Sequence, residues 1–242
     1  MLKDDEIIEK LDEKFEIIQK VGGYKYGEDT ILLFKLFQDS VNKKNIKLLD
    51  IGTGNGILPI LLSNNEFLSE LIGIDIQKEN IDRANMALEL NKIEKNIQFE
   101  CMDIREYKNS NYFDVIISNP PFFKINENVN FLNNLEQLSI ARHEVEIDLD
   151  ELIKISSELV KDRGYFYLVH RADRLSEILN ILQKYKFEAK KIKFCYTTKY
   201  KNAKIVLIEA IKNGKSGLTI LPPLIINKEN GEYTDEVLKM FE

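Results

Sequence analysis

Tryptophan is absent from this sequence, and cysteine and histidine occur only twice each among its 242 residues. Cys101 and Cys195 lie far apart, and neither stands in a Cys-x-x-Cys pair or beside a histidine. Because structural metal sites are built from clusters of such ligands, we expect no metal site. Unpaired thiols are typical of a reducing compartment, so the sequence predicts two free cysteines in a cytoplasmic protein.

A long apolar run is also missing from the chain. No segment reaches the roughly 18 consecutive apolar residues that a membrane-spanning helix needs. Residues 1–18 are acidic and lack an apolar centre, so we do not expect them to be a signal peptide. Hydrophobic residues make up 44% and charged residues 31% of the chain. That balance is typical of a globular, soluble protein.

The sequence also lacks an excess of positive charge. The formal net charge is -6, whereas most nucleic-acid-binding proteins are basic. One region differs, because the segment from Lys184 to Lys204 carries eight lysines and a single acid, Glu188. Most charge runs are solvated surface, but this one could also bind phosphates. The candidate phosphate contacts are Lys190, Lys191, Lys193, Lys199 and Lys201.

Strand-like and helix-like segments alternate from residue 46 onward. The predicted strands are 46–51, 70–76, 96–102, 113–119 and 164–170, and the predicted helices are 56–64, 78–91, 148–162 and 174–185. This alternation predicts a mostly parallel sheet with helices on both faces. Two final strands, 189–197 and 203–212, are joined by too few residues for a parallel crossover, so we expect an antiparallel C-terminal hairpin. The predicted α/β topology resembles the Rossmann-like fold of class I methyltransferases, which has seven strands.

The segments outside this alternation are expected to pack on it. Residues 1–20 carry apolar positions at a helix-like spacing, and the Gly22–Gly23 pair predicts a turn that ends this helix. Residues 24–37 predict a turn followed by a short amphipathic helix. We therefore expect a single domain over residues 1–242, with an N-terminal cap segment at 1–40 and a C-terminal tail at 217–242 packed on it.

A glycine-rich loop follows the first strand of the alternation. It reads Asp50-Ile51-Gly52-Thr53-Gly54-Asn55-Gly56 and leads into a helix. Glycine lets the backbone turn sharply and lets a ligand lie against the main chain, next to the free N–H groups of a helix start. The spacing GxGxG differs from the GxGxxG of dinucleotide-binding folds and resembles the DxGxGxG of nucleoside-binding methyltransferases. The cofactor-binding candidates in this loop are Asp50, Gly52, Thr53, Gly54 and Gly56.

Two further acids follow the next two strands. Asp75 ends the second strand, where an acid binds the ribose hydroxyls of a nucleotide in doubly wound folds. Asp103 comes just after the third strand, where its carboxylate could accept a hydrogen bond from an adenine amine or could simply cap a turn. Ile76 and Met102 stand next to these acids and are candidates for packing against the same ligand.

The fourth strand ends in the sequence Ser118-Asn119-Pro120-Pro121-Phe122. Two prolines would end a strand and stiffen the following loop in any case. A functional interpretation also explains their neighbours, because the Asn119 side-chain oxygen and the Pro120 carbonyl could accept the hydrogens of an exocyclic amine. Phe122 could then stack on the base that carries this amine. The tetrapeptide resembles the (D/N/S)PP(Y/F/W) motif of amino-methyltransferases, so the catalytic candidates are Asn119, Pro120, Pro121 and Phe122. Asn119 is also a cofactor-binding candidate.

The two ends of the chain extend this resemblance to nearly the whole sequence. Residues 19–34 resemble the N-terminal signature of the bacterial adenine-N6 methyltransferases that modify a valine tRNA. Lys25 and Tyr26 replace the arginine and phenylalanine of that signature. Residues 141–144 match the Ala-Arg-His-Glu segment of the same family, and residues 217–234 resemble its C-terminal tail.

The resemblance implies a reaction, a cofactor and a partner. It implies methyl transfer from S-adenosylmethionine to the adenosine beside the anticodon of a tRNA. By position, it also implies that Gly27, Asp29 and Thr30 line the methionine end of the cofactor. Residues 123–145 form a long segment without predicted structure, which is typical of a functional or mobile loop. We assign no catalytic role to that segment.

Several other functions are compatible with these motifs. A release-factor glutamine-N5 methyltransferase would use NPPY on the same fold, but here Phe122 replaces the tyrosine and the N-terminal region is short. A ribosomal-RNA guanine-N2 methyltransferase could carry a similar NPPF, whereas a DNA adenine methyltransferase would need a target-recognition domain that we do not find. A binding module without activity is the last alternative, which the presence of both Asp75 and Asn119 disfavours.

Overall fold

The structure is a computed structural model that describes residues 2–22, 28–40, 43–122 and 147–240. In chain order its strands are β1 (Glu6–Lys10), β2 (Glu16–Lys20), β3 (Ile46–Ile51), β4 (Leu68–Asp75), β5 (Ile97–Cys101), β6 (Phe113–Ser118), β7 (Val160–Arg171), β8 (Phe187–Tyr196), β9 (Ala203–Lys212), β10 (Thr219–Ile220) and β11 (Leu224–Ile225). The strands predicted between residues 46 and 212 are all present, with ends that differ by a few residues.

The helices that the sequence predicts from residue 28 onward are present, and the structure adds one short C-terminal helix that the sequence does not predict. They are α1 (Glu28–Ser40), α2 (Ile57–Leu62), α3 (Lys78–Leu90), α4 (Leu149–Leu159), α5 (Leu175–Lys184) and α6 (Asp235–Leu238), with single 3-10 turns at Ile104–Glu106 and Ala172–Arg174. Asp148 is the N-cap of α4, and its carboxylate accepts the Glu151 N–H at 2.8 Å. Helix α4 ends earlier than the predicted residue 162, because Val160 already pairs with Phe113 as part of β7. None of the helices in the described ranges has the length and apolarity that crossing a membrane requires.

The main sheet has the strand order β10-β8-β9-β7-β6-β3-β4-β5, and β11 also pairs with β8. The pairs from β5 across to β7 are parallel, whereas β9 is antiparallel to both β7 and β8. The predicted mostly parallel sheet with an antiparallel C-terminal hairpin is therefore confirmed. In addition to the seven long strands, the sheet contains β10 and β11, which are two residues long and run parallel to β8. These additions bring the described sheet to nine strands.

Helices cover both faces of this sheet, as the sequence predicts. Successive residues of β3 point to opposite faces, so Leu48 joins the core beneath α1 and α2 while Leu49 joins the core beneath α4 and α5. Both side chains are fully buried. The continuous apolar run of this central strand therefore reflects burial on both sides.

Residues 6–20 form an antiparallel hairpin of β1 and β2, so the helix predicted for residues 1–20 is wrong. The Asp12 carboxylate accepts the N–H of Phe15 at 2.7 Å and closes the turn between the two strands. Ile17 is fully buried against α2 and α3, whereas Ile7 is 45% exposed. The apolar spacing of this segment fits a helix and a hairpin alike, and the Asp12 turn and tertiary packing decide between them.

The C-terminal residues return to the sheet and to α1. Strands β10 and β11 pair with β8, and Val237 of α6 is buried in the core that α1 covers. The Tyr233 hydroxyl donates a hydrogen bond to Glu28 at the start of α1. The division into one domain with a cap segment at 1–40 and a tail at 217–242 stays a prediction.

Candidate active site

The carboxyl ends of β3, β4, β5, β6 and β7 lie along one edge of the sheet, because these strands are parallel. Ligands bind at this edge in open α/β sheets. A pocket opens there between the strand ends. Its lining includes the predicted residues Gly52, Asp75, Ile76, Met102, Asp103, Pro120 and Pro121. The fold thus brings together residues that three separate sequence motifs contributed.

A larger cavity lies at the opposite edge, between Ser40, Asp114, Lys161 and Tyr165. The Asp114 carboxylate is paired there with Lys43 at 2.9 Å and with Lys161 at 2.8 Å. These charges satisfy one another, and none of the sequence motifs falls in this cavity. We therefore assign the candidate site to the carboxyl edge.

The three glycines of the loop have different surroundings. Gly52, Gly54 and Gly56 all have positive φ, at 75°, 56° and 80°, which other residues rarely adopt. A Cβ added at Gly52 or Gly54 would meet no atom within 4 Å, whereas one at Gly56 would lie 2.7 Å from the Phe99 ring. The first two therefore leave open space beside the main chain, and the third permits close packing at the start of α2.

Asp75 is bound to the glycine loop rather than merely facing it. Its Oδ2 accepts the Gly54 N–H at 2.9 Å, and its Oδ1 accepts the Gln77 N–H at 2.8 Å. The Asn80 side-chain amide donates to the same Oδ1 at 3.4 Å. Burial raises the pKa of this carboxyl above its ordinary value, and the three hydrogen bonds oppose that rise. The sequence does not predict the parts played by Gln77 and Asn80.

Asp50 and Thr53 lie beneath the loop. The Thr53 hydroxyl donates to Asp50 Oδ2 at 2.7 Å, and both residues are buried. Burial raises the pKa of Asp50 from 3.8 to about 7, with the nearby Asp75 charge adding to the rise. Between pH 3.8 and about 7 the Asp50 carboxyl therefore stays protonated in the folded protein, whereas it is ionised in the unfolded chain. This group makes the protein less stable as the pH rises through that window.

Ile76, Met102 and Asp103 form the rim of the pocket. Ile76 is 48% exposed, which is high for an isoleucine and leaves its side chain accessible to a ligand. Both carboxylate oxygens of Asp103 contact Arg105, and Oδ1 also accepts the Arg105 N–H of the 3-10 turn at 2.9 Å. The Arg105 guanidinium lowers the pKa of this carboxyl. Asp103 thus has the turn-capping contact that the sequence allows as an alternative.

Asn119 is held by a residue from the other end of the domain. Its Nδ2 donates a hydrogen bond of 2.8 Å to the hydroxyl oxygen of Thr30, in the first turn of α1. The Ser118 hydroxyl donates to the Ile51 carbonyl at 2.9 Å and joins the ends of β6 and β3. With its amide nitrogen engaged by Thr30, the Asn119 side chain presents its oxygen as an acceptor.

Asp29 and Thr30, which the resemblance assigns to the methionine end of the cofactor, lie in the first turn of α1, where Thr30 contacts Asn119. Burial raises the pKa of Asp29, and the positive charge of Lys204 opposes that rise. Gly27 and the segment 123–145 lie outside the described residues. Thr30 is thus both a predicted cofactor residue and the hydrogen-bond partner of the motif asparagine.

Sequence reasoning missed His170, the buried residue near the end of β7. Its ring centroid lies 5.2 Å from that of Phe122, and its Nδ1 accepts the Arg171 N–H at 2.8 Å. Burial lowers the pKa of His170 to about 4, so the ring is neutral at pH 7. Within the ranges that the structure covers, no three His, Cys, Asp or Glu side chains are grouped as metal ligands. His170 instead packs against Phe122. The sequence signal that could have identified it is its position near the end of β7, the strand next to β6.

Relatives of known name cover most of this chain. A protein of Phocaeicola vulgatus is 27% identical over 199 residues, which are 81% of this chain and 80% of that protein. A protein of Porphyromonas gingivalis is 26% identical over 238 residues, or 95% and 91% of the two chains. Both are named tRNA1(Val) (adenine(37)-N6)-methyltransferase. A release factor glutamine methyltransferase of Buchnera aphidicola is 31% identical, but over 60% of this chain and 53% of its own length.

Solved structures share the fold at low sequence identity. A predicted O-methyltransferase from Agrobacterium tumefaciens superposes with a TM-score of 0.67 at 18% identity, covering 88% of this chain and 95% of its own. TYW2 from M. jannaschii, solved in complex with AdoMet, has a TM-score of 0.59 at 15% identity and covers 87% of both chains. These likenesses establish the class I methyltransferase fold.

A family model provides the remaining comparison. The model described as a methyltransferase domain matches residues 42–202. That match begins just before β3 and extends through β8, so it includes the glycine loop, Asp75 and the NPPF motif. It spans well over half of the 242 residues. The chain therefore belongs to the methyltransferase-domain family.

Proposed function

We propose that this protein transfers a methyl group from S-adenosylmethionine to the N6 amine of an adenine in tRNA, at the adenosine beside the anticodon. The observation that carries the proposal is the Asn119 side chain, whose Nδ2 is held by Thr30 at 2.8 Å. Its oxygen is left as an acceptor next to Pro120, at the rim of the pocket that Asp75 also lines. The names of the relatives support the choice of tRNA adenine as the substrate.

The pocket residues fit an S-adenosyl group. Gly52 and Gly54 leave space for a ligand against the main chain, and Asp75 lines the same pocket at the end of β4, where an acid binds ribose hydroxyls in doubly wound folds. Ile76 and Met102 offer apolar surface for an adenine ring. When bound, S-adenosylmethionine supplies an electrophilic methyl group on a positively charged sulfur. The AdoMet complex of TYW2 supports this choice of cofactor.

The chain's own residues position the amine that accepts the methyl group. We infer that Asn119 Oδ1 and the Pro120 carbonyl oxygen accept the two amine hydrogens, which fixes the nitrogen and draws its lone pair out of the ring. Phe122, supported by His170 at 5.2 Å, stacks on the base. No strong general base is required, because the proton becomes acidic only after the bond forms. Catalysis on this view is positioning and dipole orientation.

The release-factor reaction is the alternative that a specific relative favours. The Buchnera protein matches 60% of this chain, whereas the Porphyromonas protein matches 95% of it. The longer matches extend into the N- and C-terminal segments, which resemble the tRNA family. We therefore rank the tRNA reaction first, and propose that it takes place in the cytoplasm, where tRNA is found.

The test is methyl transfer from labelled S-adenosylmethionine to unmodified bulk tRNA, followed by nucleoside analysis. We expect N6-methyladenosine from the wild-type protein and nearly none from Asn119→Ala at equal cofactor occupancy. Label on ribosomal RNA guanine or on a release-factor glutamine, without label on tRNA, would replace the proposed substrate. Absence of S-adenosylmethionine binding in calorimetry would overturn the enzyme assignment itself.

A further inference from the structure

The turn between β8 and β9 lies at the same edge of the sheet as the candidate active site. Strands β7 and β8 are both antiparallel to β9, so they run in the same direction. The carboxyl end of β8 at Tyr196 therefore lies at the edge where β7 ends, and the chain turns there before β9 begins at Ala203. A ligand of this turn would therefore lie at the same edge of the sheet as the candidate active site.

The lysine-rich segment divides into two groups in the structure. Lys191 is paired with Glu209 at 3.1 Å, and Lys193 with Glu236 at 3.6 Å. Lys190 donates hydrogen bonds to the carbonyl oxygens of residues 215 and 217. These three side chains are engaged within the protein, so the phosphate contacts predicted for them lose support.

The second group consists of Lys199, Tyr200 and Lys201, which we call the basic turn. All three are exposed, and Tyr200 is 74% exposed, the highest value among the exposed large hydrophobic residues of the described chain. The Lys199 ammonium lies 4.7 Å from the centre of the Tyr200 ring. Among the described residues, no carboxylate comes within 4.0 Å of Lys199 or Lys201.

The basic turn adjoins the site through its C-terminal neighbour. Lys204 is the second residue of β9, and it lies close enough to Asp29 for its positive charge to lower the pKa of that carboxyl. Asp29 precedes Thr30, whose hydroxyl holds Asn119 at 2.8 Å. A ligand that spans from Asn119 to the basic turn would therefore pass the first turn of α1.

We propose that the basic turn docks single-stranded RNA, with Lys199 and Lys201 on phosphates and Tyr200 stacked on an unpaired base next to the target nucleotide. Two cations beside an accessible aromatic ring match the chemistry of an unpaired nucleotide strand. The net charge of the chain is -6, so a polyanion needs a local positive contact to approach the site. The inference rests on the proposed function, because it takes the target base to belong to RNA.

The experiment uses the full chain and a transcript of a valine tRNA. Lys199→Ala/Lys201→Ala is compared with the control Lys186→Ala/Lys215→Ala, which removes the same charge from exposed positions at the opposite sheet edge. Binding is measured at several salt concentrations. The first variant should raise Kd and reduce the salt slope by about 1.4, since each phosphate contact on a single strand contributes about 0.7. The control should retain the wild-type slope, and both variants should bind S-adenosylmethionine normally.

Tyr200 tests the stacking part of the proposal. Tyr200→Ala should raise Kd for the transcript at least about fivefold, because stacking on an aromatic ring contributes at least about 1 kcal/mol per base. Tyr200→Phe keeps the ring and should bind as the wild type does. Wild-type methylation of the transcript with unchanged Kd and slope in the lysine variant would overturn this proposal alone. Wild-type protein that binds the cofactor but neither binds nor methylates the transcript would overturn the proposed function as well.

Discussion

Replacement of Thr30 tests the proposed site most directly. The Thr30 hydroxyl oxygen accepts the hydrogen bond from Asn119 Nδ2 at 2.8 Å. A side-chain amide has two roughly equivalent orientations about its last torsion, so this bond selects the one in which Oδ1 can accept the substrate amine. Thr30→Val keeps the shape of the side chain and removes the acceptor.

The size of the effect follows from the energy of that hydrogen bond. A typical net hydrogen bond contributes about 0.5–1.5 kcal/mol. If the loss of this hydrogen bond raises the transition-state free energy by the full amount, kcat falls by about 2- to 12-fold, since 1.36 kcal/mol corresponds to a factor of ten. Thr30→Ser retains the hydroxyl and should recover most of the rate. On this reasoning the Thr30 hydroxyl acts through Asn119, so the effect falls on kcat and the cofactor Kd stays unchanged.

The assay is steady-state methylation of a valine tRNA transcript at saturating S-adenosylmethionine, with calorimetry for the cofactor Kd. Thr219→Val, on the exposed strand β10, is the matched control and should behave as the wild type. In an Asn119→Ala background, Thr30→Val should have no further effect on kcat, because the partner of the hydroxyl is already gone. An unchanged kcat together with weaker cofactor binding would refute this reasoning and return Thr30 to the cofactor-lining role that the resemblance implies.

Three further predictions concern the residues around this pair. Asn119→Ala should lower kcat about 100-fold or more and leave the cofactor Kd unchanged. Asp75→Ala should instead raise the cofactor Kd about 10- to 100-fold. Equal loss of cofactor binding in both variants would contradict this division of roles. Gly56→Ala should lower the free energy of unfolding by about 2–4 kcal/mol in urea titrations, because its Cβ would lie 2.7 Å from Phe99 at a φ of 80°. Asp50→Asn should stabilise the protein by about 4 kcal/mol at pH 8 and by little at pH 4, since the pKa of Asp50 is raised to about 7. A stability difference between Asp50→Asn and wild type that does not depend on pH would contradict the last prediction.

The fold from β3 to β9 could be predicted because its signals are local. The central strands β3 and β6 are short apolar runs followed by Gly52 and Asn119, and helices such as α3 have an apolar face. The antiparallel end of the sheet follows from a single number, the length of the turn between β8 and β9. Strands β10 and β11 could not be predicted in this way, because two-residue strands carry no periodicity and form only by pairing with β8.

The candidate site was predicted at the level of its residues but not of its contacts. The motifs identify Gly54, Asp75 and Asn119, because glycine and polar residues at strand ends stand out from their apolar surroundings. The hydrogen bond from Gly54 to Asp75 and the one from Asn119 to Thr30 each join segments distant in sequence. Such contacts depend on how β3, β4, β6 and α1 meet at one edge, which no single motif specifies.

The hairpin that forms in place of the predicted N-terminal helix supports the candidate cofactor pocket. In the hairpin, Glu6 turns inward and is only 7% exposed, so its charge needs a buried partner. That partner is Arg83 at 3.6 Å, which also donates to the Asn80 side chain at 2.7 Å, and Asn80 in turn donates to Asp75. The Asn55 side chain binds the backbone of β2 at 3.0 Å and fixes the glycine loop to the same hairpin. Charged residues that look like solvated surface in the sequence thus hold the acid and the loop of the candidate cofactor pocket, because a hairpin presents Glu6 to the interior where a surface helix would leave it in water.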